Sequence, residues 1–87
     1  MAVYLVTNDL IKTGQNYDDI QAFITKYDHR RLSESSYVIK SDKMPAALLA
    51  EIQRSIDNND TFYIFTIKRP LAGKGEPETN KWIYKNL

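Results

Sequence analysis

Thr61-Phe62-Tyr63-Ile64-Phe65-Thr66-Ile67-Lys68 is the stretch on which the fold turns. β-Branched and aromatic residues fill it, Asn58-Asn59-Asp60 supplies a turn before it, and Pro70 stops it, so residues 61–68 are predicted to form a strand. Working back along the chain, Pro45 suits the first turn of a helix whose apolar stripe is Ala47, Leu48, Leu49, Ile52 and Ile56, ending at Asn58-Asn59-Asp60. Before it, β-rich character returns at Tyr37-Val38-Ile39 within residues 30–41, while Ser33-Glu34-Ser35-Ser36 is too polar for an unbroken buried strand and predicts a bend, bulge or break. Residues 2–7 place apolar side chains on both faces, as a covered central strand requires, and the run ends at Asn8-Asp9. Between these strands, Lys12-Thr13-Gly14-Gln15-Asn16 is loop chemistry, with Asn16 as the expected helix cap and Asp18 and Asp19 at the positive helix end. Tyr17, Ile20, Phe23, Ile24 and Tyr27 then recur at helical spacing. Two strand-and-helix halves result, which makes the class α+β.

The chain divides into a core domain at 1–70 and an extension at 71–87. Residues 71–78 carry two glycines and two glutamates around Pro77 and predict a loop or connector. Thr79 is expected to cap a last short helix with Trp82, Ile83 and Leu87 on one face. The alternative is that Trp82-Ile83-Tyr84 adds a strand to a partner's sheet. The extension is the expected dimer contact.

At 87 residues there is room for one modest core. No stretch approaches the roughly 18 to 20 apolar residues that cross a bilayer, and residues 1–10 have neither a basic start nor a small-residue cleavage site, so the expected compartment is cytoplasmic. The absence of cysteine excludes disulfides and thiolate metal sites, zinc fingers included. A formal charge of +1 recommends phosphate binding only weakly, yet Arg30, Arg31, Lys40, Lys43, Lys68, Arg69 and Lys74 follow an acidic first third and form a basic face if folding collects them.

Among single residues, Asp9 reads first as a strand-end turn carboxylate. His29, the sole histidine, is expected in a connector after the first helix, with general acid or base work as its chemical alternative. Arg30 and Arg31 can hold phosphate through paired guanidinium donors, with Lys68 and Arg69 adding to them; ordinary strand-end charge is the competing reading. Tyr37, Tyr63 and Trp82 stack bases if exposed, although aromatic residues in strands more often belong to the core. Ser33, Ser35 and Ser36 have no histidine neighbour or elbow motif. Gly73-Lys74-Gly75 lacks the setting of a phosphate loop, and neither helix has the basic amphipathic pattern of a membrane-surface segment.

The start Val3-Tyr4-Leu5-Val6-Thr7-Asn8-Asp9-Leu10, an apolar strand ending in aspartate, resembles the signature of the CRISPR-associated protein two family. Residues 33–43, a following helix, Asn58-Asn59-Asp60 and the ending Lys81-Trp82-Ile83-Tyr84-Lys85-Asn86-Leu87 look more closely like small bacterial SinR-like proteins, which are grouped with that family and with VapD. The resemblance implies a ferredoxin-like βαββαβ sandwich with both helices on one face of an antiparallel sheet. It also implies a homodimer in which the aspartates ending the first strands, here Asp9, approach one another. By the same resemblance, Asp9 is the catalytic and metal-binding residue, with magnesium or manganese activating water against a phosphodiester. Asn8 stands where a tyrosine is common. The function so implied is a homodimeric nucleic-acid-handling protein, a metal-dependent endoribonuclease in its enzymatic form. The alternative is a non-catalytic dimeric scaffold or a regulatory module that binds a protein partner through its extension. RNA and DNA remain equally open as partners.

Overall fold

A computed structural model describes residues 1–9 and 17–87, so the expected loop at 12–15 and the Asn16 cap lie outside the described residues. The elements are β1 (Ala2–Asp9), α1 (Tyr17–Thr25), β2 (Asp28–Ser33), β3 (Ser36–Ser41), α2 (Pro45–Ile52), β4 (Thr61–Ile67) and α3 (Pro77–Asn86), with one 3-10 turn at Gln53–Ser55. The strands form a single sheet in the order β2-β3-β1-β4, every neighbouring pair antiparallel. The architecture is α+β, with a four-stranded antiparallel sheet and three α-helices.

Register explains the two faces, because side chains on directly paired residues project to the same side of a sheet. On one side Tyr4 and Val6 of β1 lie beside Tyr37 and Ile39 of β3, and these meet Ile20, Phe23 and Ile24 of α1 and Leu48 and Ile52 of α2 in the core. Both α1 and α2 therefore cover the same face. Ile24, Ile39 and Leu48 are fully buried, and burying such a side chain contributes about 1.5–3 kcal/mol. On the opposite side Val3 and Val38 are also buried, so β1 and β3 have two covered faces, as the apolar run at 2–7 requires.

The extension supplies that second cover. α3 lies against β2: Trp82 Nε1 donates to Asp28 Oδ1 at 3.0 Å, and Arg30 Nε donates to Thr79 Oγ1 at 3.3 Å. Its start is set by Pro77 in the first turn, where a missing N–H costs nothing. Glu76 occupies the capping position without a side-chain bond, so the expectation that Thr79 caps the helix is corrected. Thr79 sits inside the first turn, buried, and receives Arg30 instead.

Three further expectations change. β1 runs through Asp9 rather than stopping at Thr7, because β4 pairs with it as far as Asp9↔Thr61. α2 ends at Ile52 and tightens into the 3-10 turn, so Ile56, with extended backbone, packs on the core from outside the helix. His29 is a strand residue rather than a connector, because α1 stops at Thr25 and the chain re-enters the sheet at Asp28. The polar run at 33–36 is a hairpin turn between β2 and β3, with a register shift between Arg31 and Ser33 that realises the expected bulge.

Candidate functional site

Asp9 ends the central strand and is exposed. It pairs with Thr61, two residues beyond the Thr7↔Tyr63 pair and four beyond Leu5↔Phe65, so Asp9, Tyr63 and Phe65 share the face turned away from α1 and α2. α3 and the segment before it cover this face over β2 and β3 but leave β4 largely open. Tyr63 is 57% exposed and Phe65 51%, their rings stacked with centroids 5.7 Å apart. The two rings lie beside the free edge of β4. A groove of about 390 Å³ runs between the sheet and the extension, with Leu5, Val38, Ile67, Leu71 and Ile83 among its walls.

The expected phosphate-binding residues separate into two places. Lys68 and Arg69 follow β4 at the end of the sheet away from Asp9, where Arg69 Nη2 donates to the Tyr84 carbonyl at 2.8 Å and its guanidinium lies 5.2 Å from the Tyr84 ring centroid. Arg30 and Arg31 are on β2, separated from β1 by β3. The fold thus brings neither pair beside Asp9.

Instead, Arg30 and Arg31 meet His29 in a polar cleft of about 340 Å³ at the free edge of β2, completed by Gln21, Tyr37 and Glu76. Arg30 Nη2 is committed to Glu76 Oε1 at 3.2 Å. Arg31 Nε donates to the Ser33 carbonyl at 3.0 Å, and among the described residues no carboxylate pairs with its guanidinium. Gln21 Nε2 donates to the Tyr37 hydroxyl oxygen, which leaves the phenolic proton for another acceptor. His29 Nδ1 lies 2.8 Å from the Tyr27 carbonyl, an acceptor only, so the neutral ring carries its proton on Nδ1 and Nε2 keeps its lone pair.

Gln21 and Glu76 were not legible as members of a site, and Tyr37 was expected to stack bases or join the core rather than to offer its hydroxyl. Tyr37 reads as core, which its ring is; only its hydroxyl reaches the cleft region. A polar run such as Asp28-His29-Arg30-Arg31, once folded as a strand, belongs at a sheet edge. Tyr63 is exposed, Tyr37 is buried and Trp82 is half-buried, so of the three aromatic residues considered for stacking Tyr63 alone is presented openly.

As for the implied metal, Asp9 offers one exposed carboxylate, and no group of three or more His, Cys, Asp or Glu side chains gathers among the described residues. A hard cation held by a single carboxylate keeps most of its waters and needs a second carboxylate to be clamped. No family profile, curated protein or solved structure matches the chain.

Proposed function

We propose that this chain is a ferredoxin-like, nucleic-acid-handling homodimer of the CRISPR-associated protein two and VapD kind. The observation that carries the reading is the position of Asp9 on the same open face as Tyr63 and Phe65. A second copy seated on that face hides two exposed rings and the β4 edge, and the same two-fold contact brings one Asp9 toward the other. Two facing carboxylates are what magnesium or manganese would need here; the bound ion would supply an activated water for phosphodiester hydrolysis. The sheet order β2-β3-β1-β4 with α1 and α2 on one face supports the ferredoxin-like part.

A non-catalytic dimeric scaffold on the same fold is the second reading, favoured by the placement of Arg30 and Arg31 away from Asp9. One pair of measurements separates the two. Sedimentation of wild type at about 20 µM, an ordinary affinity range, should give a dimer mass, and Tyr63→Lys should shift it to monomer. Wild type should cleave single-stranded RNA with magnesium or manganese, whereas Asp9→Ala and Asp9→Asn should not. Asp9→Asn keeps turn hydrogen bonding and removes the charge, so a purely structural aspartate would tolerate it. Dimerisation with salt-sensitive RNA binding but no cleavage selects the scaffold; a monomeric wild type removes the paired-carboxylate site.

A further inference from the structure

The cleft at the edge of β2 has a donor and acceptor set that the open sheet face lacks. Resting on the nucleic-acid reading above, we infer that this cleft binds the ribose-phosphate unit of single-stranded RNA and is where the protein distinguishes RNA from DNA. Charge chooses the phosphate. Of the two arginines, Arg30 is engaged by Glu76, but Arg31 spends only Nε, on a backbone carbonyl, and keeps both terminal nitrogens for an anion. A guanidinium presents those nitrogens as a planar fork that matches two phosphate oxygens. The Tyr37 proton adds a neutral donor, since the hydroxyl oxygen already accepts from Gln21. Its ring is buried to 3% exposure, so the hydroxyl is held in place at little further entropic cost.

His29 chooses the sugar. With Nδ1–H fixed on the Tyr27 carbonyl at 2.8 Å, neutral His29 offers Nε2 as an acceptor. A lone pair repels phosphate oxygen but receives a hydroxyl proton, and the 2′-hydroxyl is the donor that RNA has and DNA lacks. A cleft whose one side donates to an anion and whose other side accepts from an alcohol fits adjoining phosphate and ribose, whereas an inorganic anion would leave Nε2 unused.

The test is binding of a fluorescently labelled single-stranded RNA of about ten nucleotides and its DNA counterpart, a length on the scale of single-strand sites, measured by anisotropy across a salt series with no divalent metal. Arg31→Ala should weaken RNA and DNA binding alike, about tenfold, and reduce the salt slope by about one. Tyr37→Phe, which keeps the ring, should weaken both less. His29→Asn keeps a donor for the Tyr27 carbonyl and, being shorter, places no acceptor where Nε2 stood, so it should abolish the RNA preference while leaving DNA affinity unchanged. RNAs ending in a 5′-phosphate, a 3′-phosphate or hydroxyls separate a terminal from an internal phosphate: equal affinities assign an internal one, and a preference assigns that end. If wild type binds RNA and all three cleft variants match it in affinity, salt slope and RNA-to-DNA ratio, the cleft is not the site although the nucleic-acid reading stands. If wild type binds neither strand, both fail together.

Discussion

At the scale of single residues, Tyr4 shows how a polar atom is accommodated beside an apolar core. Its ring is buried on the helix face of β1, and its hydroxyl donates to the Lys43 carbonyl at 2.7 Å, tying the central strand to the segment that leads into α2. Tyr4→Phe preserves the packing and strands that carbonyl, a loss of about 1 kcal/mol that should lower Tm by about 4–8 °C for a domain of this size. Calorimetry giving an unchanged Tm would show that water replaces the bond without cost. Single-residue roles were the least legible level of the sequence. Whether an aromatic residue is core or surface depends on strand register, and Tyr37 and Tyr63 look alike until β3 and β4 are laid on either side of β1.

Among the elements, α2 is fastened to its surroundings by one polar cluster. Glu51 accepts from Lys43 Nζ at 2.6 Å and from the Tyr27 hydroxyl at 2.8 and 2.9 Å, with Lys26 Nζ at 3.7 Å. The Lys43 bond, with help from Tyr27 and despite partial burial, holds the Glu51 carboxyl below its ordinary range. Burial, followed by the Glu51 bond, pushes the Tyr27 hydroxyl up, and the Glu51 bond raises Lys43. The signs oppose one another across pH. A carboxyl depressed on folding stabilises the fold above its unfolded value near pH 4–5 and loses that contribution as pH falls through its folded value. Raised Tyr27 and Lys43 contribute fully below about pH 10 and lose it as pH rises beyond. Glu51→Gln should therefore destabilise near pH 7 and converge with wild type at about pH 2, measured by urea unfolding; a gap independent of pH would assign the effect to packing. The strongly apolar elements, β1, β3 and β4, were legible because both their composition and their turn boundaries point one way. β2 was legible only from Arg30 and through the break expected at 33–36; its start at Asp28 was not, because a half-solvated edge strand needs no apolar run.

For the whole molecule the sheet is the organising surface, with α1 and α2 on one side and the extension on part of the other. The division at residue 70 therefore does not mark an independent appendage, since α3 is bound to β2 through Trp82, Thr79 and the Arg30–Glu76 pair. Deleting residues 77–87 should uncover Val38 and its neighbours, lower stability by about 1–3 kcal/mol and raise binding of a hydrophobic dye; no change in either would mean that α3 rests on the sheet without supporting it. A last helix was legible from Trp82, Ile83 and Leu87, and a covered second face from the apolar run at 2–7, but nothing in the tail points to β2 as the strand that α3 packs on.

The order of the strands has a further consequence during synthesis. β1 emerges first yet occupies an interior place in the sheet, and its two neighbours are β3 and β4, the latter ending 58 residues after Asp9 at Ile67. Until those partners leave the ribosome, Val3, Tyr4, Leu5 and Val6 have both backbone edges open and no side of the sheet to join. Closing such long loops is slow relative to local helix formation, so α1 and the β2–β3 hairpin form while β1 waits. In the nascent chain, then, the future centre of the sheet is the segment whose backbone edges stay open longest.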